Sequence, residues 1–221
     1  MTDSTALLSR NDTAFVVGMK AEARILRSAG FAHVAVAAGS RGRARAEAGW
    51  LLGEHGCMRA VSFGIAGGLA PALVPGDLVI DGEEAGLVAT LTDALRSAGL
   101  RVQPGKVETR DIPLADPHAK ALLHARTGAL AVDMETAGLI GAAESARAPW
   151  LVLRAIADPA DTALPAFALA GMDEHGSIRV DRVLAALVTN PRDVSALFAL
   201  ARQSGAARRT LIVTARELAG H

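Results

Sequence analysis

The chain predicts an α/β fold: a three-layer α/β/α arrangement around a central mixed, twisted sheet. Three observations carry this prediction. Short apolar runs alternate with longer Ala-rich segments of helical period along most of the sequence. At 51% hydrophobic residues, the 221-residue chain can bury a full core. Only 3% of the residues are aromatic and Tyr is absent, so Ala, Leu and Val must fill an interior in which helices pack close to a sheet.

The elements follow in order. An apolar run at 15–18 reads as a strand and 22–29 as a helix, followed by a second strand at 33–38 and a helix at 44–55. A third strand is expected at 59–63 and a fourth at 77–80, then a helix at 89–97 and a strand at 106–109. Residues 129–132 form a strand running into a helix that continues to 146, and 150–156 is a further buried strand. Three helical patterns close the chain, near 181–189, 193–203 and 205–219. No linker or repeat interrupts the pattern, so a single domain is expected over 1–221, with 1–13 as a flexible N-terminal segment.

Composition excludes several functions. Lys and Arg total 23, matching 23 Asp and Glu, which argues against a broad nucleic-acid footprint. The one cysteine, Cys57, excludes an internal disulfide framework and a cysteine-cluster metal site, and it reads as a small buried apolar residue. No apolar run reaches the ~18 residues of a membrane helix. The opening MTDSTALLSRNDT carries Asp3 and Asp12 and no apolar signal-peptide core, so a cytoplasmic location is expected. Asp116 and His118 have metal-like spacing without a third ligand, and no metal is expected. His33, His55, His124 and His175 read as surface residues, and Trp50 and Trp150 as core anchors.

Four segments could carry chemistry. Ser62-Phe63-Gly64-Ile65-Ala66-Gly67-Gly68 reads as a Gly-rich turn after a strand, where backbone can approach a ligand closely. It lacks the spacing of a dinucleotide loop and a phosphate-loop lysine. Asp133-Met134-Glu135 stands where a strand meets a helix. Its carboxylates could grip a ribose diol, or Asp133 could cap the helix with Glu135 in the favourable first turn. Asp158 follows a buried strand and precedes Pro159. A partly desolvated carboxyl there can act as a general acid, although Asp-Pro also simply initiates turns. Glu22 follows the first strand, either facing the same crevice or serving as a first-turn helix glutamate. Falling after four separate strands, the segments suit a site assembled at one edge of the sheet.

In this order the motifs GMxxE, GxAGGLxPxLxPGD, VDMET and RAIADPAD resemble those of the purine and uridine phosphorylase superfamily, from residue 15 to about residue 161. That superfamily includes the methylthioadenosine/S-adenosylhomocysteine nucleosidases. Within it the chain is most similar to the hopanoid-associated phosphorylases, through Leu164-Pro165 and the tail from 176 to 211. The resemblance implies a phosphorylase/hydrolase-like fold and release of adenine from an adenosyl compound, adenosylhopane being the substrate assigned to those enzymes.

It also implies roles. Asp158 matches the acid at N7 of the leaving purine, and Met134 and Glu135 match the pair that packs on the ribose and accepts its hydroxyls. Glu22 matches the water-activating glutamate of the hydrolytic members, while Gly64, Ile65 and Ala66 match the loop beside nucleophile and base. Four residues depart from the nucleosidase pattern: Ile65 and Ala157 replace serines, Arg110 a glycine, and Pro113 a base-stacking Phe.

Phosphate is the expected co-substrate, with no other cofactor. Ser40, Arg41 and Arg43 on the Gly-containing turn after the second strand suit a tetrahedral anion, or form a solvated basic loop; Arg24 is a further anion candidate, a plain helix-surface residue being the favoured reading there. The sequence reading is therefore phosphorolysis of adenosylhopane. Its alternatives are a hydrolytic methylthioadenosine/S-adenosylhomocysteine nucleosidase and a catalytically silent nucleoside- or lipid-binding module. Expected partners are a small-molecule adenosyl substrate, lipid-linked in the hopane case, and further copies of the chain in a homo-oligomer, with no nucleic acid.

Overall fold

The computed structural model describes residues 6–164 and 194–220. Their elements run β1 (Thr13–Val17), α1 (Lys20–Ser28), β2 (His33–Val36), α2 (Arg41–Gly53), β3 (Arg59–Gly68), β4 (Leu78–Gly82), α3 (Ala85–Ser97), β5 (Val102–Pro104), β6 (Val107–Thr109), α4 (Pro117–Thr127), β7 (Ala131–Asp133), α5 (Thr136–Ala146), β8 (Trp150–Asp158) and α6 (Val194–Ala219). The helix expected near 181–189 lies outside the described residues.

The strands form one eight-stranded sheet with the path β2-β1-β3-β8-β4-β5. β7 pairs antiparallel with the end of β3 and carries β6 beside it. Along the main path the pairs are parallel except β4 against β8, which makes the sheet mixed, as expected.

Side-chain alternation on β1 sets the layers. Phe15 and Val17 face Leu26 of α1, Leu91 and Leu95 of α3, and Leu211 and Ala215 of α6. Ala14 and Val16 face Ala44, Ala48 and Leu51 of α2 and Leu139 and Ala143 of α5. The Ala-rich second layer brings two helix backbones together. A Cβ on Gly138 of α5 would lie 2.0 Å from the Arg41 carbonyl oxygen of α2, so only glycine fits there. On another side of the sheet, Leu123 of α4 packs with Leu69, Ala129 and Val132. The Asp116 carboxylate starts α4 by accepting from the His118 and Ala119 N–H groups, Pro117 opens its first turn, and Gly128 at φ 68° ends it.

Several expectations need correction. β3 does not stop at Phe63 but continues to Gly68, because β8 pairs with it throughout, with a register shift between Ala66 and Gly67. The Gly-rich turn is thus strand. The two closing helices expected around Gly205 are one helix, since a single Gly among good helix formers costs only about 1 kcal/mol. From residue 6, the N-terminal segment expected to be flexible is pinned: Leu8 is buried, and the Leu7 and Leu8 N–H groups donate to the Leu218 carbonyl. Trp50 is 52% exposed rather than a core anchor, with its ring edge-on to His55. His124 is not a free surface residue; its Nδ1 lies 2.8 Å from the Ala129 carbonyl.

Candidate active site

Parallel strands β1, β3 and β8 send their carboxyl ends to one edge of the sheet, and β7 reaches the same edge from the other direction. A cavity of about 190 Å³ opens there. Its polar lining comprises Glu22, Asp133, Glu135, Arg154 and Asp158; Met19, Ile65, Ile112, Pro113, Leu114, Met134 and Leu164 supply most of the apolar surface. Asp158 and Glu135 therefore meet across one space, together with Glu22, Met134, Ile65 and Ala66.

Glu22 reaches the cavity from the first turn of α1 and is 3% exposed. Its Oε1 accepts the Ile65 N–H and its Oε2 the Met19 N–H, both at 2.8 Å. Burial pushes its pKa from 4.5 up to about 7, against the opposing pull of Arg154. Gly64 makes this approach sterically feasible: a Cβ there would lie 2.6 Å from Glu22 Oε1 and 2.7 Å from Arg154 Nη1. Gly18 does the same for Glu135, whose Oε1 would be 2.8 Å from an added Cβ.

Arg154 organises one side of the cavity. It sits mid-strand on β8, 1% exposed, and its Nη2 contacts Ser62 Oγ at 2.7 Å and Glu135 Oε2 at 3.2 Å and pairs with Asp133. Burial opposes its charge, but Asp133, Glu135 and Glu22 together hold its pKa above the ordinary arginine value. Glu135 is buried, which raises its carboxyl pKa, while Arg154 and the N–H groups of Met134 and Gly39 work the other way. Asp133 is consumed by structure. Its oxygens accept from Thr109 Oγ1 and from the Thr136 N–H and hydroxyl, so the helix-start reading holds for Asp133.

At the opposite side, Asp158 ends β8, and burial raises its pKa. Its Oδ2 accepts from Lys120 Nζ at 2.6 Å. The reading of the sequence missed both Lys120 and the part played by Arg154. Each left a signal: a charged residue in the apolar run WLVLRAIA, and a lysine three positions before Leu123 on the buried face of α4.

The expected phosphate residues are not at the cavity. Ser40 accepts the Arg43 N–H and caps α2. Arg41 pairs with Asp111 on the surface and donates to the Thr109 carbonyl, and Arg43 is exposed. In the structure that turn starts α2, with Ser40 as its cap. Arg24 faces a different groove with Arg208 and Arg216. Among the described residues, no group of three or more His, Cys, Asp and Glu side chains is arranged to hold a metal. No helix among them is long and apolar enough to cross a membrane.

Fold and site together define a mixed-sheet α/β protein with a carboxylate-lined pocket at its strand ends. The family model for the Phosphorylase superfamily matches residues 84–189, which bears out the superfamily resemblance seen in the motifs. No curated protein sequence matches the chain. Among solved structures, the 5′-methylthioadenosine/S-adenosylhomocysteine nucleosidase of Neisseria meningitidis, in complex with methylthio-immucillin-A, superposes with TM-score 0.67 at 17% identity, covering 94% of this chain and 99% of its own. The Campylobacter jejuni enzyme of the same name gives 0.65 at 14% identity, covering 94% and 100%. Futalosine hydrolase of Helicobacter pylori gives 0.59 at 17%, covering 66% and 87%. At these identities the likeness is one of fold.

Proposed function

We propose that the protein cleaves the N-glycosidic bond of an adenosyl nucleoside, with Asp158 at the leaving base, Glu135 on the ribose hydroxyls and Glu22 activating the nucleophile. One observation carries the reading: these three carboxyl groups, from three separate elements, line a single cavity. As the bond breaks, its electron pair passes to the base and positive charge builds on the sugar. Asp158 gives a proton to the base. With Asp158 protonated and Glu22 ionised, three carboxylates stand against two cations, Arg154 and Lys120, leaving one negative charge in excess to suit an oxocarbenium-like sugar. Glu135 strengthens its hold on the ribose hydroxyl as that charge develops.

Water is the acceptor this site favours. A carboxyl with a pKa of about 7 is poised to take a proton from water near neutral pH. Both cations are already paired with carboxylates, so no described residue at the cavity offers phosphate an uncommitted cationic fork. Phosphorolysis is the second reading, supported by the match to the Phosphorylase superfamily. The adenosyl group is supported by the motif resemblance and by the names of the nucleosidase neighbours. The apolar lining, with Ile112 74% exposed, suits an apolar 5′ substituent such as a thioether or a hopane skeleton. A cytoplasmic homo-oligomer is the assembly proposed.

Adenine release from 5′-methylthioadenosine and from adenosylhopane, with and without phosphate, tests the reading. Release that ignores phosphate and yields a free sugar is expected. A sugar 1-phosphate formed only with phosphate present would replace water by phosphate. Absence of base release from both compounds would overturn glycosidic cleavage itself.

A further inference from the structure

Lys120 is a fully buried cation beside the acid that ends β8. It is the fourth residue of α4, near the positive end of the helix dipole, and it is 0% exposed. A buried ion pair seldom outperforms an apolar residue of the same volume, so stability alone gives this position no need of an ammonium. The group is nevertheless fully used. Nζ donates to Asp158 Oδ2 at 2.6 Å, to the Pro159 carbonyl at 2.9 Å and to the Thr162 carbonyl at 3.0 Å, one acceptor for each N–H. With Oδ2 held, Oδ1 is the oxygen left for a ligand in the cavity that Asp158 lines.

We propose that Lys120 is the positioning residue of the leaving-group acid: it fixes Asp158 so that Oδ1 carries the proton into the cavity, and it stabilises the carboxylate left when that proton is given away. The inference rests on the glycosidic reading above. The step balances. The glycosidic electron pair goes to the base, the Oδ1 proton goes to a ring nitrogen of the base, and Asp158 becomes an anion facing the Lys120 ammonium. Exchange with solvent after base release restores the proton. Burial makes the Asp158 carboxyl a weaker acid, and Lys120 opposes this. The other charged groups at the cavity stand apart from this exchange: Arg154 is bound to Asp133 and Glu135, and Glu22 to the Ile65 and Met19 N–H groups. Exposed Asp161 pairs with Thr162 on the following turn.

Lys120→Met, Lys120→Gln and Lys120→Arg should be compared on 5′-methylthioadenosine and on 4-nitrophenyl riboside, whose leaving group departs without a proton, with circular dichroism as the fold check. The neutral variants are expected to lose about 10-fold or more in kcat/KM on the nucleoside, the part of general acid catalysis that a weaker acid forfeits. The alkaline limb of their kcat/KM profile, where the acid loses its proton, should move to higher pH. Turnover of the nitrophenyl riboside should stay within about threefold of the parent, since no acid is needed. Lys120→Arg should bring the alkaline limb back. If Lys120→Met does not fold, Lys120→Gln, which keeps a donor without the charge, gives the same readout. Equal losses on both substrates, or an unmoved alkaline limb, would overturn the proposal while leaving the glycosidic reading intact. A parent protein inactive on both substrates would overturn the two together.

Discussion

Replacing Glu22 by Gln should raise stability above neutral pH while removing activity. The folded-state pKa of Glu22 is about 7, against an ordinary 4.5, because burial disfavours its charged form. A carboxyl whose pKa is raised on folding contributes most stability below pH 4.5, where it is protonated in both states. That contribution falls as pH rises between 4.5 and about 7, and levels off above. The gap is worth about 3 kcal/mol, the cost of keeping an ionised carboxylate buried at alkaline pH. Gln avoids the charge but can accept only one of the two N–H groups, from Met19 and Ile65, that Glu22 satisfies, at a loss of about 1 kcal/mol. Glu22→Gln should therefore be about 2 kcal/mol more stable than the parent at about pH 8.5, a rise of about 4–8 °C in Tm for a chain of this size. At about pH 4.5 it should melt no higher. Thermal melts of both proteins across that range provide the assay. A variant that melts lower than the parent at alkaline pH, or a difference that does not change with pH, would refute the burial argument for Glu22.

The other expectations concern the reaction and the scaffold. Because Glu22 must be ionised to take a proton, the acidic limb of kcat/KM should have its midpoint near pH 7, measured by initial rates of base release. Asp158→Asn should lower kcat on a nucleoside by about 10²–10⁴-fold, and should also lower Tm, because it strands Lys120 as a buried, uncompensated cation. Gly138→Ala forces α2 away from α5 at the Arg41 carbonyl and should cost about 1–3 kcal/mol in denaturant unfolding.

Much of the site was legible because each of its carboxyl groups follows a strand. Glu22, Glu135 and Asp158 stand beside local breaks in the apolar pattern, and a sheet of this class gathers such breaks at one edge. Lys120 was harder to see. It acts on Asp158 from 38 positions upstream, within a helix whose sequence gives no sign of what it faces. Arg154 was hidden by its setting, since a strand is read for its apolar residues and the contacts of one buried cation depend on the register of β8 with β3 and of β3 with β7. Ser40, Arg41 and Arg43 do not line the cavity, because the turn that carries them leads directly into α2, which Ser40 caps. The Gly64–Gly68 segment looked like a turn because glycines usually mark one. Here they stay in the strand to make room for carboxylates: added Cβ atoms on Gly64 and Gly67 would crowd Glu22 and Asp158.

The most direct test of the central claim is a crystal structure of the protein with methylthio-immucillin-A, the analogue bound by the Neisseria meningitidis neighbour. The account predicts the base within hydrogen-bond distance of Asp158, the sugar hydroxyls on Glu135, and Glu22 on the face from which water attacks. An analogue bound away from this cavity, or seated in it with Asp158 and Glu135 contacting neither base nor sugar, would contradict it.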